Sequence, residues 1–348
     1  MDRKRLEHLL STFRQRRIVV VGDFFLDKYL EIDPKLTEKS LETGKDAYQV
    51  VGKRCQPGAA GTVTSNIAAL GIGSIYAVGA IGDDGEGYDL IKALERIGVE
   101  IAHLIRSGDL FTPTYTKPML QMPEGEDEME RQDVKNRTPL PRHLEDQVIS
   151  RLKEATKRVD GVIIADQVQE RNCGVITDRV RGVLAELADE NPEKVFFADS
   201  RVRVGEFRRV ILKPNRYEAA GAVGMEGAPS PEAARRAAMT LSKRSGRPVF
   251  LTMDKSGIVA VDVDKAWEVP AVRVQGPVDI VGAGDSATAG IVSALVSGAS
   301  LCEAAAMGCL VASVTIRQIG TTGTATPAQV LEAFDGSKDL YACIGEPA

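Results

Sequence analysis

Residues 278–298, VDIVGAGDSATAGIVSALVSG, bring a strand-like run to Gly282, Ala283 and Gly284 and continue as a helical pattern from about Asp285. Glycines at 282 and 284 let the backbone turn tightly and aim several amide N–H groups outward. With the positive end of the helix that follows, those amides form a site for developing phosphate charge. A carboxylate placed there repels a bound phosphate unless it acts on the incoming nucleophile. The task that suits it is to accept a proton from a hydroxyl attacking a γ-phosphate. The helix terminus is expected to lower the pKa of Asp285 and make it a weak base. Phosphoryl transfer tolerates this, because its loose transition state draws most of its help from positioning and charge stabilisation.

Two other readings fit the same residues. Aspartate is a preferred N-cap, so a plain strand-to-helix turn is one of them. GAGDSA also matches the GxGxxG/A dinucleotide fingerprint. That fold needs a second strand ending in an acid about 20 residues on, and the helical run SLCEAAAMGCLVASVTIRQ stands there instead. No GxxxxGK[ST] segment occurs, which excludes a P-loop enzyme.

Little else in the chain competes for acid–base chemistry. The three histidines, His8, His103 and His143, have no triad-like context, so the work falls to carboxylates. Cys55, Cys173, Cys302, Cys309 and Cys343 form no zinc pattern and are expected to be small buried apolar residues in a reducing compartment. A net charge of −5 leaves no excess of cation for a phosphate backbone or an anionic membrane, which argues against nucleic acid as a partner. No apolar run is long enough to cross a bilayer, and the opening MDRKRLEHLLSTFRQRR lacks the apolar core of a secretion signal. A soluble, cytoplasmic protein is expected.

The elements that must position Asp285 alternate between apolar β-rich runs and helical patterns, the signature of an α/β sheet covered on both faces. Strands are expected at RRIVVVGD, SIYAVGAIG, DGVIIAD, KVFFADS, RRVILKPN, PVFLTMD and GIVAVDV. In such sheets function collects at the carboxyl ends, which here carry Asp23, Asp166, Asp199, Asn215 and Asp254. Two stretches, 27–55 and 111–141, break the rhythm with short alternating, polar-leaning segments that suit strands with one solvated face. They are expected to form a small β-lid, with long surface loops as the alternative. The tail after about Phe334 is expected to be peripheral.

DIVGAGDSATAGIVSAL resembles the C-terminal signature of ribokinase/PfkB carbohydrate kinases, and four further segments agree in order and spacing: GDFFLD, PGAAGTVTSNIAALG, LKPNRYEA and IRQIGTTGTATP. Within that family GDFFLDKYL, the PGAAG run and the late segment look most like the heptose-phosphate kinase branch. The 348 residues are expected to hold the kinase part alone, without the nucleotidyltransferase domain of bifunctional members. The resemblance implies a single ribokinase-like domain over 1–348. Its fold would be a three-layer α/β/α sandwich with a central, mostly parallel sheet and lid segments at about 28–54 and 111–135.

It also implies roles. Gly282, Ala283 and Gly284 would form the anion hole and Asp285 the catalytic base. Asp23, Asp27, Gly58, Ala59, Thr62, Asn66, Lys117 and Asp166 would face the acceptor sugar or sugar phosphate. Asn215 and Glu218 would hold Mg²⁺ through water and steady the triphosphate of ATP. Thr252, Asp254, Gly257 and Cys309 would lie near the nucleotide. Asp279, Val281 and Gly320 match the region where many members bind a monovalent cation such as K⁺. The chain departs from the family at Ala59, Thr62, Asp254 and Cys309, and the first three departures motivate a second reading, a non-catalytic sugar- or nucleotide-binding regulator of the same fold. An exposed lid edge would be protected by a second subunit's lid, so a homodimer is expected.

Overall fold

A computed structural model of the chain describes residues 1–341, and Cys343 lies outside the described residues. In chain order the strands are β1 Arg17–Gly22, β2 Phe24–Ile32, β3 Glu38–Lys39, β4 Asp46–Ala47, β5 Val50–Ala59, β6 Ser74–Gly82, β7 Leu104–Ser107 and β8 Thr114–Met122. They continue with β9 Gly125–Glu128, β10 Gln132–Val134, β11 Gly161–Asp166, β12 Val195–Ser200, β13 Ile211–Leu212, β14 Val249–Thr252, β15 Ile258–Asp262 and β16 Lys265–Val269.

Nine of these form one sheet in the order β16-β15-β14-β13-β12-β11-β1-β6-β7. Pairings from β14 through β1 to β7 are parallel, and β15 and β16 add antiparallel at one edge. Parallel strands buried on both faces need continuous apolar sequence rather than alternation. IVVV of β1 supplies it: Ile18 and Val20 enter one core, Val19 and Val21 the other. The first core is completed by helices that include Ala60–Ala69, Ala283–Val296 and Leu301–Thr315, the second by helices that include Arg142–Thr156, Asp178–Glu190 and Pro231–Ser245. The result is the expected three-layer sandwich.

β1 has β6 on one side and β11 on the other, so the winding reverses at β1. A crevice opens beyond the carboxyl ends of strands at such a point. A second sheet, β10-β8-β2-β5 with β9 on β8, stands over it. Its first segment begins at Phe24 and ends at Ala59, wider than the expected 28–54, because β2 starts and β5 ends against the body's own buried residues. Gln56 of β5 ties the lid to the late turn of the body, donating to the Thr321 hydroxyl at 3.0 Å and accepting from Thr322 at 3.2 Å.

Three other expectations change. RRVILKPN yields a strand of only two residues, β13, while β7 and β16 arise where no strand was expected. The tail is not peripheral as far as Tyr341: Phe334 and Tyr341 stack within the first core, and the Tyr341 hydroxyl donates to Pro270 O at 3.1 Å. Of the cysteines, Cys302 and Cys309 are buried, but Cys55 and Cys173 are half-buried.

Candidate active site

A cavity of about 310 Å³ lies between the carboxyl ends of the main sheet and the lid, and Asp285 lines it. The helix Ala283–Val296 starts from Gly282, whose φ of 77° is left-handed and whose missing side chain leaves room for Thr322 Cγ2, 2.7 Å from where a Cβ would stand. A residue with a Cβ would be strained there on both counts. The Ala283 amide turns inward to Ile280 O at 3.1 Å. Ala283 is therefore not an open donor as expected. Among the described residues the amides of Gly284 and Asp285 have no protein acceptor, as the first turn of a helix dictates.

Behind this turn is a buried cation that the sequence reading missed. Lys213, 4% exposed, sits in the loop after β13 and pairs with Asp199 of β12 at 2.9 Å. Its ammonium is 3.5 Å from where a Cβ on Gly284 would stand, so it underlies the open amides. Thr288 of the helix donates to the same Asp199 oxygen at 3.1 Å, tying helix to sheet. Burial works against the Lys213 charge, but Asp199 and Glu218 hold its pKa above the ordinary value.

The expected depression at Asp285 is reversed. Burial, then the charge of Asp199, pushes its carboxyl up to about 7, against the pull of Lys213 and Arg201. The pull of a helix terminus on a carboxylate reaches only about 2 kcal/mol even in a partly buried geometry. Here the side chain sits deep, open only towards the cavity, and loss of hydration outweighs the dipole. A carboxylate with a pKa near neutrality is a better base than the sequence implied.

The other proposed acceptor residues divide. Asp27 of β2, Ala59, Thr62 and Lys117 line the cavity. Lys117 lies 3.8 Å from Asp27 and donates to the Tyr29 hydroxyl at 3.2 Å. Burial raises the Asp27 pKa, opposed by Lys117 and Arg131. Gly58 leaves room beside it, since a Cβ there would stand 2.7 Å from an Asp27 oxygen and displace the carboxylate. Asp23 also lines the cavity, but its carboxylate already accepts from the amides of Gln167 (2.8 Å), Val168 (3.0 Å) and Val175 (2.7 Å). Three of about four lone-pair positions are thus spent on holding the loop after β11. Burial and neighbouring Asp166 push Asp23 up to about 6 against those amides.

Asp166 and Asn66 are corrections. Asp166, 1% exposed, is locked to Arg203 at 2.6 Å and to the Ser200 hydroxyl at 2.6 Å, a buried pair that fixes the strand ends and offers nothing to a ligand. Asn66 is 1% exposed and donates to Thr62 O at 3.0 Å within its own helix. Neither lines the cavity.

Of the residues expected near the nucleotide, Asn215 and Glu218 form a capping box on the helix Arg216–Ala222. Asn215 Oδ1 accepts from Tyr217 and Glu218 amides at 2.9 Å each, and Glu218 Oε2 accepts from the Asn215 amide at 2.8 Å. Glu218 Oε1 is left for a hydrated cation, a donor set that suits magnesium. Burial raises the Glu218 pKa and Lys213 opposes it. Thr252, Asp254 and Gly257 lie at the β14–β15 turn, where Asp254 adopts a φ of 51° and reaches Arg216 at 3.3 Å. Cys309 is a correction: it is buried under Val269, where loss of hydration pushes its thiol up to about 12. Asp279 gathers Val281 and Gly320, accepting from their amides at 3.0 and 3.3 Å.

The cavity also holds cations that no motif announced. Arg131 and Lys135 stand over the Tyr115 ring at 4.4 and 5.4 Å on the lid side, and Arg201 follows β12 on the body side. Four cations, Lys117, Arg131, Lys135 and Arg201, thus face four carboxylates, Asp23, Asp27, Glu170 and Asp285. The only sequence signal for Arg201 is its place one residue beyond a strand end.

The family model described as pfkB family carbohydrate kinase matches residues 15–329. Among curated proteins, the bifunctional protein HldE of Trichlorobacter lovleyi is 28% identical over 96% of this chain, and that of Gluconobacter oxydans 28% identical over 90%. The chain spans 66% and 63% of the lengths of these two relatives. Phosphofructokinase-2 from Escherichia coli in complex with potassium has a TM-score of 0.69 at 19% identity, covering 92% of this chain and 99% of that one. Ribokinase from Arabidopsis thaliana complexed with ribose and ATP has a TM-score of 0.66 at 19% identity, covering 91% and 98%.

Proposed function

From its membership of the pfkB family of carbohydrate kinases, we propose that this chain transfers the γ-phosphoryl group of ATP to a hydroxyl of a sugar phosphate, with Asp285 as general base. The observation that carries this reading is the cavity in which Asp285, at a helix start whose first amides are open, meets a wall of cations and carboxylates. Evenly balanced charges suit a polyhydroxylated acceptor, and Arg131 and Lys135 around Tyr115 suit a phosphate at its far end. A heptose phosphate is the acceptor that the sequence resemblance favours.

In this mechanism Asp27 and Lys117 orient the acceptor, and its reacting hydroxyl lies against Asp285. The hydroxyl oxygen bonds to the γ-phosphorus as the bond to the bridging oxygen of ADP breaks, and the hydroxyl proton passes to Asp285. The Gly284 and Asp285 amides take up charge on the moving phosphoryl group, with Lys213 adding positive potential from below. Glu218 would hold hydrated Mg²⁺, which when bound offsets the charge of the triphosphate. Asp279, Val281 and Gly320 would frame a monovalent cation such as K⁺. The lid excludes water, which would otherwise compete with the acceptor.

Outside the cavity the lid exposes Leu41, Tyr48 and Val50, which supports a homodimer built through the lid. Among the described residues no helix is long and apolar enough to cross a membrane. A cytoplasmic protein is proposed. ADP release measured across free sugars, hexose phosphates and heptose phosphates tests the activity. Turnover with a sugar phosphate is expected; ligand-induced thermal stabilisation without ADP release from any acceptor would favour the regulator instead.

A further inference from the structure

Three of the four cations that line the cavity already have a carboxylate. Lys117 is 3.8 Å from Asp27, Arg131 is 2.7 Å from Asp133, and Lys135 is 3.6 Å from Asp133. Arg201 differs: among the described residues no carboxylate lies within salt-bridge distance, and its one side-chain partner is Gln167 Oε1 at 3.4 Å. An unpaired guanidinium inside a cavity is the group most ready to accept an anion.

Position distinguishes Arg201 from the lid cations. Arg131 and Lys135 cluster on Tyr115 of β8, on the lid. Arg201 follows β12, whose Asp199 anchors Lys213 beneath the open amides, and its backbone amide is fixed by Asp166 O at 3.1 Å. Its charge is felt by both Asp285 and Glu218. Arg201 and Asp285 thus line one cavity, at the helix start whose first amides are open, where the proposed function puts the phosphoryl group in transfer.

We infer that the Arg201 guanidinium contacts the γ-phosphoryl group of ATP and strengthens that contact during transfer, whereas Arg131 and Lys135 hold the phosphate that the acceptor already bears. The inference rests on the kinase reading above and assigns two anion subsites within one cavity. Arg201 then acts as a catalytic residue, and a planar fork rather than a point charge is suited to the spread oxygens of the phosphoryl group.

Arg201 is exposed, so Arg201→Met should fold with an unaltered unfolding midpoint. Two readouts are combined: steady-state kinetics with a sugar phosphate, and calorimetric affinities for a non-hydrolysable ATP analogue and for ADP. Loss of kcat by about 10²-fold is expected, with the acceptor KM within about twofold of wild type. The ratio of analogue to ADP affinity should fall about tenfold. Arg201→Lys should recover part of kcat, and Lys135→Met should raise the acceptor KM and leave the affinity ratio unchanged. An unchanged ratio in Arg201→Met, or an unchanged kcat, overturns the inference. If wild type turns over no acceptor, the kinase reading fails while the ratio still decides whether Arg201 meets the γ-phosphate.

Discussion

The two walls of the cavity hold their charges in different ways. Behind the body wall, Lys213 against Asp199 and Arg203 against Asp166 are pairs at 2.9 and 2.6 Å, buried at the ends of parallel strands. On the lid wall, Lys117, Arg131 and Lys135 rest on tyrosine rings and on Asp27 and Asp133, and the side chains of Arg131 and Lys135 remain substantially exposed. Fixed charges cost desolvation during folding but need no reorganisation when phosphate charge develops. Exposed ones hold less energy and can rearrange as an acceptor enters and leaves. Under the proposed function, chemistry belongs to the body and recognition to the lid.

The sharpest way to break this division is Asp285→Asn. Its kcat should fall by about 10³-fold or more while ATP affinity, measured by calorimetry, is retained. Full turnover in that variant would remove the body wall's claim to the chemistry. The same variant bears on stability. The folded pKa of Asp285 is raised to about 7, so ionising it in the folded protein is a cost that grows as pH rises from about 4 and is complete above 7. Asp285→Asn should be more stable than wild type by about 2 to 4 kcal/mol at pH 8, and the difference should vanish near pH 4 in denaturant titrations.

Lys213→Met leaves Asp199 buried without its cation and should destabilise the protein by about 3 kcal/mol or more, read from the same titrations. Equal stability would mean that the body wall is less fixed than its geometry indicates. A smaller effect is expected across the cavity. Arg131→Ala and Lys135→Ala should each raise the sugar-phosphate KM by about tenfold, with kcat and the unfolding midpoint nearly unchanged, because a partly exposed ion pair contributes little to folding. A fall in kcat instead would place chemistry on the lid. Ala59→Gly is the mildest change. Ala59 adopts φ 53°, ψ −116°, a conformation that favours glycine, so the variant should gain about 1 kcal/mol.

The walls also differed in how much of them could be read from sequence. β1, β6, β11 and β12 were legible because strands buried on both faces leave unbroken apolar runs, and the Gly-Ala-Gly-Asp turn because few residue types tolerate its geometry. The lid's bounds were not, since Phe24, Phe25 and Leu26 are as apolar as the body from which they depart. Asp166 stood at a strand end like any other candidate until Arg203, far from it in sequence, closed the pair. Lys213 stands inside the LKPNRYEA segment and Arg201 just beyond a strand end, and neither place announces a buried pair or a cavity wall. Only the parallel registry of β11, β12 and β13 brings them together at one edge. The direction of the Asp285 pKa failed for a related reason: a helix terminus is visible in sequence, but burial is a property of packing.

The most direct test of the central claim is the pH dependence of single-turnover phosphoryl transfer from ATP to a sugar phosphate. A half-buried base under the charges of Asp199 and Lys213 predicts a rate that falls about tenfold per pH unit below an apparent pKa near 7. A rate that stays level from pH 8 down to pH 5 would contradict the account.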